Sequence, residues 1–118
     1  QAAGVVGELV PVVEFYTYEA KYIDGTTELH IPGRVSEETS RKLRQTAEKA
    51  FAAIGCEGFA RIDFFVRKGD GEVILNEINT IPGFTSISMY PKLWDYCGVQ
   101  YPELLDRLIQ LGLQRGEN

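Results

Sequence analysis

The stretch GFARIDFFVRKGDGEVILNEIN, residues 58–79, decides how the chain folds. Two runs rich in β-branched and aromatic residues, Gly58 to Arg67 and Glu72 to Ile78, flank Gly69-Asp70-Gly71. A short loop with glycine available for positive φ is a favoured hairpin connection. With Lys68 opposite Glu72, counting back sets Asp63 opposite Glu77 and Arg61 opposite Asn79. Side chains alternate along a strand with period two, so these four share one face. Ile62, Phe64 and Val66 point to the other face, the core side.

Directly opposed carboxylates have Cβ atoms about 4.5–5.5 Å apart and destabilise a sheet unless something compensates them. Two readings meet that requirement. In one, a hard divalent cation takes Asp63, Glu77 and the amide oxygen of Asn79, with substrate phosphates completing its shell, as magnesium commonly does. Arg61 then clamps a developing anion. In the other, the face is solvated and Arg61 neutralises the acids, and a register slip of one residue would separate them altogether. The segment that follows, Asn79-Thr80-Ile81-Pro82-Gly83-Phe84-Thr85-Ser86, sets small and hydroxyl residues beside this face. Such loops present backbone N–H groups to anions, and a helix starting just after Ser88 adds its dipole. The same residues also suit an ordinary Pro-Gly turn.

Moving outward, Val5 to Tyr16 reads as a strand with Pro11 at an edge or bend. Thr17 to Gly33 is irregular, aromatic and charged, a length of loop that is often functional. Ser36 is a good N-cap, with Glu37 and Glu38 in the first turn. Leu43, Ala47, Ala50, Phe51 and Ile54 follow at helical spacing until Gly55, a natural stop. Arg41, Lys42, Arg44 and Lys49 form the solvated face of that helix. Two short helices close the chain, with Pro91 and Pro102 in their first turns and Leu104, Leu105, Leu108 and Ile109 as an apolar stripe. Strands and helices without repeated βαβ units make the fold class α+β, an antiparallel sheet packed with helices.

Composition bounds the partners. A net charge of −5 argues against a nucleic-acid surface, which needs a basic face. No run approaches the roughly 20 apolar residues of a membrane span. Cys56 and Cys97 have no metal-ligand spacing and read as small buried hydrophobes in a reducing, cytoplasmic setting. No repeat or linker divides the 118 residues, so they form one domain.

Arg61-Ile62-Asp63, followed by Leu75-Asn76-Glu77-Ile78-Asn79-Thr80-Ile81-Pro82-Gly83-Phe84-Thr85-Ser86, resembles the C-terminal signature of D-alanine–D-alanine ligases. Phe15-Tyr16-Thr17-Tyr18-Glu19-Ala20-Lys21-Tyr22 is similar to the same family's mobile loop over the active site. The spacing of Asp63, Glu77 and Asn79 alone indicates only ATP-grasp enzymes generally. The resemblance implies that residues 1–118 are a C-terminal ATP-grasp domain, incomplete at its N-terminus. It also implies an N-terminal domain that binds the first D-alanine and a central domain whose lysines hold ATP. Neither fits in these residues, so the isolated chain is expected to be inactive.

The implied activity is ATP-dependent ligation of two D-alanines for peptidoglycan precursor synthesis, through an acyl phosphate. Asp63 and Glu77 would hold one magnesium ion and Glu77 with Asn79 a second, manganese being an alternative. Arg61 and the backbone N–H of Gly83 would stabilise the tetrahedral oxyanion. Ser88 and the backbone of Met89 would bind the second D-alanine. Lys21 would reach the γ-phosphate, Phe15 would line the adenine pocket, and Tyr22 would complete a network closing the loop. By resemblance the whole enzyme is a homodimer. Two rivals remain: a D-alanine–D-lactate ligase, and a non-catalytic fragment that binds magnesium nucleotide.

Overall fold

The computed structural model describes residues 2–10, 28–85 and 88–116. Its elements, in chain order, are β1 (Glu8–Val10), β2 (Glu28–His30), α1 (Glu37–Ala53), β3 (Arg61–Val66), β4 (Val73–Asn79), α2 (Met89–Tyr96) and α3 (Tyr101–Gly116). Two antiparallel pairs, β1 with β2 and β3 with β4, stand with three helices, so the expected α+β class holds.

β1 is shorter at its start than the valine-rich run suggested, beginning at Glu8, and the run from Pro11 onward lies outside the described residues. Part of the segment read as irregular is a strand: Glu28–His30 pairs with β1, Leu9 opposite Leu29. Three residues are too few for a period to stand out. Glu8 secures the pair to the chain ahead of α1. Its carboxylate takes Arg34 Nε at 3.0 Å and Nη2 at 3.1 Å, and the Arg34 backbone N–H at 2.9 Å. Those donors hold the Glu8 carboxyl below its ordinary value.

α1 starts as its sequence dictates, the Ser36 hydroxyl accepting the Thr39 N–H at 3.1 Å. It stops before Gly55, which takes φ +70°. Leu43 is its buried anchor and Ile54 is exposed, having left the helix as its C-cap. Arg44 is half-buried rather than solvated, its Nη2 lying 3.4 Å from Glu37 Oε1. α1 packs on β4 and α2 on α3. Leu43, Met89, Val99 and Leu104 are buried among the described residues, as are Pro82 and Pro91.

α3 corrects one expected stripe. Leu104 is buried and Leu108 half-buried, but Leu105 and Ile109 face outward. A helix that touches its neighbours along one narrow line buries i and i+4, and the adjacent positions i+1 and i+5 fall beyond it. Cys97 is likewise exposed rather than buried, and Cys56 is intermediate.

The seat of α2 against the chain just before β1 depends on Gly7. A Cβ there would run into Met89 Sδ, and would lie 2.9 Å from Met89 Cε and 3.3 Å from Leu93 Cδ2. Met89 is buried, and the end of its side chain must move to admit the methyl. Gly7→Ala is therefore expected to destabilise the protein by about 1–3 kcal/mol, the cost of overpacking. Urea unfolding measures it, and an unchanged midpoint would show that Met89 yields freely.

Candidate active site

The β3–β4 hairpin sets Arg61 opposite Asn79 and Asp63 opposite Glu77, the register expected from the sequence. It reaches that register by another route. The chain turns through four residues, with Arg67 N–H donating to Glu72 O at 2.9 Å and Gly71 N–H to Arg67 O at 2.9 Å. Arg67 and Glu72 also pair through their side chains. Lys68 thus lies in the turn and not opposite Glu72. A bulge then offsets the longer loop: Phe64 faces Leu75 while Asp63 faces Glu77, leaving Asn76 as the extra residue. Beyond the bulge toward the turn, Phe65 faces Ile74 on the Asp63 side of β3, and both are exposed.

On this face Arg61 compensates the two acids. Its Nε donates to Asp63 Oδ1 at 2.9 Å and its Nη2 to Asp63 Oδ2 at 3.1 Å, a bidentate pair. Nη2 also lies 3.9 Å from Glu77 Oε1. Glu77 is nearly half exposed, at 48%, against 25% for Asp63. Among the described residues, one arginine against two carboxylates leaves one negative charge, on the more open group. Asn79 Oδ1 accepts the Ile81 N–H at 3.0 Å, which fixes the amide; an amide oxygen carries a second lone pair that a cation could take.

These donors are all oxygen and suit a hard cation, but they amount to a partial site. Among the described residues no group of three or more His, Cys, Asp or Glu is placed to hold a metal ion. Phosphate oxygens would have to supply the rest of the shell, as is usual for magnesium.

The loop after Asn79 is pinned by aromatic side chains that the sequence reading did not single out. Phe84 sits among Phe59, Tyr90 and Tyr101, with ring centroids 5.5, 5.5 and 6.1 Å away. The Tyr101 hydroxyl donates to the Phe84 carbonyl at 3.0 Å. Burial pushes the Tyr90 phenol above its ordinary value. Pro82 is buried beside exposed Ile81 and Gly83. The signal was present, as aromatics flanking the loop in sequence, but no period ties residues so far apart.

Gly83 and Ser88 are brought together. A Cβ on Gly83 would lie 2.8 Å from Ser88 Oγ. Ser88 occupies the N-cap position of α2 without capping it through its side chain. Its Oγ instead accepts the Thr85 N–H at 2.9 Å and lies 2.9 Å from Thr85 Oγ1, while Ser88 N–H donates to Thr85 O at 3.1 Å. Met89, next in the chain, is buried and opens α2. Phe15, Lys21 and Tyr22 lie outside the described residues.

Residues 1–110 match the family described as D-ala D-ala ligase C-terminus. The chain belongs to that family. Over 113 residues it is 56% identical to a D-alanine–D-alanine ligase of Acetivibrio thermocellus, covering 96% of this chain and 30% of the relative. The D-Ala:D-Ser ligase VanG of Enterococcus faecalis superposes with a TM-score of 0.77 at 37% identity, covering 92% of this chain and 31% of that one. A Bacillus anthracis D-alanine–D-alanine ligase complexed with ATP superposes with a TM-score of 0.74 at 31% identity, covering 95% and 37%. This chain thus spans about a third of the length of the ligases it matches. Its α+β fold is the C-terminal ATP-grasp architecture of those enzymes. No helix among the described residues is long and apolar enough to cross a membrane.

Proposed function

We propose that this chain is the C-terminal ATP-grasp domain of a cytoplasmic, homodimeric D-alanine–D-alanine ligase that serves peptidoglycan precursor synthesis. In this reading residues 1–118 work with an N-terminal and a central domain of the same enzyme, which bind the first D-alanine and much of the ATP. The observation that carries it is the family match through residue 110, which includes the hairpin face and the loop up to Met89. The relatives' names support D-alanine as substrate, and the ATP complex of one neighbour supports the nucleotide.

The chemistry assigns each residue a task. The carboxylate of one D-alanine attacks the γ-phosphorus of ATP, ADP leaves, and an acyl phosphate forms. The amine of the second D-alanine attacks the acyl carbon, and phosphate leaves. Asp63 and Glu77 would hold one magnesium ion and Glu77 with Asn79 a second, manganese being able to substitute; when bound, these ions neutralise phosphate charge. Arg61 and the Gly83 N–H would face the oxyanion that forms on the acyl carbon, where fixed donors act most strongly. Arg61 is already held in place by Asp63, so it need not reorganise when that charge develops. Ser88 and the Met89 backbone would receive the carboxylate of the second D-alanine. Phe65 and Ile74 offer an exposed apolar shelf beside the acids that suits the nucleotide base, together with Phe15. Lys21 would reach the γ-phosphate and Tyr22 would close the loop.

VanG, which couples D-alanine to D-serine, keeps the choice of acceptor open, and D-lactate is the third candidate. The test uses the full-length enzyme of which, on this reading, the chain is one part. Supplied with ATP, magnesium, D-alanine and equal D-serine and D-lactate at pH 7, it is expected to form almost only D-alanyl-D-alanine. Tyr22→Phe should raise the D-lactate product, because loss of the phenol from a closed network costs about 1–3 kcal/mol. D-Alanine attacks as a neutral amine, so the ester's share should grow as pH falls. Mainly ester or D-serine product from the unaltered enzyme would assign it to another branch of the family.

A further inference from the structure

The hydroxyl of Thr85 has no part in the reading above, yet its Oγ1 lies 2.9 Å from Ser88 Oγ. We propose that Thr85 is a positioning residue that aims the Ser88 proton at the carboxylate of the acceptor amino acid. This rests on Ser88 being the acceptor-carboxylate ligand, as proposed above. A serine hydroxyl has one proton and two lone pairs. The Thr85 N–H fills one lone pair of Ser88 Oγ at 2.9 Å. Thr85 Oγ1, also 2.9 Å away, either donates to the second lone pair or accepts the Ser88 proton. Both hydroxyls rotate, so the two arrangements interconvert.

A carboxylate breaks the tie, because it only accepts. On its arrival Ser88 must donate to it, and Thr85 Oγ1 then donates to Ser88 Oγ. Each hydrogen bond in that chain polarises the next, strengthening the one that reaches the charged ligand. Geometry keeps the pair in register. Ser88 N–H donates to the Thr85 carbonyl at 3.1 Å. Ser88 Oγ also lies so near Gly83 that no Cβ fits between them. Without the Thr85 hydroxyl, one lone pair of Ser88 goes unfilled and its proton is no longer directed.

The experiment is steady-state kinetics of the full-length ligase, with the donor-site and acceptor-site KM for D-alanine separated. Thr85→Val keeps the side chain's shape and is expected to raise the acceptor KM about tenfold, the usual effect of losing support for a charge-assisted hydrogen bond. The KM for ATP and for the donor D-alanine should stay within about twofold, and Thr85→Ser should restore the acceptor KM. Ser88→Ala should raise it also, and the double variant with Thr85→Val should be no worse than Ser88→Ala alone, the signature of one coupled unit. If Ser88→Ala raises the acceptor KM and Thr85→Val does not, the role of Thr85 is overturned and that of Ser88 stands. If neither moves it, the assignment of Ser88 fails and this inference with it. A rise in all three KM values together, or additive effects in the double variant, would mark Thr85 as merely structural and overturn the proposal. Should Thr85→Val fail to fold, Thr85→Ala, which removes the same hydroxyl without a branched side chain, is read by the same criteria.

Discussion

Replacing Glu77 by Gln in the full-length ligase is expected to lower turnover on the order of a thousandfold, the scale at which charge stabilisation acts in phosphoryl and acyl transfer. Glu77 lies opposite Asp63 and is the more exposed of the two acids. It is also the residue shared between the two cation positions proposed here, so its charge counts twice. Glutamine keeps the shape and one oxygen but removes that charge. The hairpin should not suffer, because Arg61 already holds Asp63 through two hydrogen bonds and touches Glu77 only at 3.9 Å. Removing one of two opposed carboxylates relieves a repulsion, so thermal stability should be unchanged or slightly higher. Function and fold therefore part company in this variant: ADP release collapses, magnesium-ATP binding weakens, and the unfolding midpoint does not fall. Turnover near that of the unaltered enzyme would leave Arg61 as the only compensation the acids need and remove the cations from this face.

That face was legible in the sequence because a hairpin constrains its own register. The turn was not. A three-residue loop and a four-residue loop are equally compatible with Lys68-Gly69-Asp70-Gly71, and the bulge at Asn76 leaves no mark in composition. The two departures cancel at Asp63 and Glu77, while everything nearer the turn pairs one residue away from expectation. Elsewhere, strong local signals carried through: the Ser36 cap, the stop at Gly55, and prolines in the first turns of α2 and α3. Features that depend on the partner an element meets did not. Glu28–His30 is a strand paired with β1, and α3 turns Leu104 and Leu108 inward while Leu105 and Ile109 are exposed. The aromatic cluster around Phe84 joins residues far apart in the chain, which no local pattern records.

The loop from Pro82 to Ser88 is the second place where a single atom should decide activity. Gly83→Ala is expected to lower kcat about a hundredfold, the loss typical of a misplaced oxyanion donor. The added Cβ would lie 2.8 Å from Ser88 Oγ, closer than such atoms approach. Ser88 cannot retreat cheaply, since its hydroxyl is tied to Thr85 N–H and Oγ1 and its own N–H to the Thr85 carbonyl. The Gly83 backbone must then shift, and Phe84, held by Tyr101 and the surrounding rings, limits where it can go. Either movement takes the Gly83 N–H from the developing oxyanion, and the acceptor KM should rise as well. A second substitution separates the two effects. With Ser88→Ala added, the nearest atom to the new Cβ becomes the Ser88 Cβ position at 3.7 Å, an ordinary contact. The backbone can return, so kcat should recover by about tenfold or more, while the acceptor KM stays high because the carboxylate ligand is gone. A kcat for Gly83→Ala within about twofold of the unaltered enzyme would show that the N–H of Gly83 does not stabilise the transition state. A kcat that falls and is not recovered by Ser88→Ala would place the strain somewhere other than against Ser88.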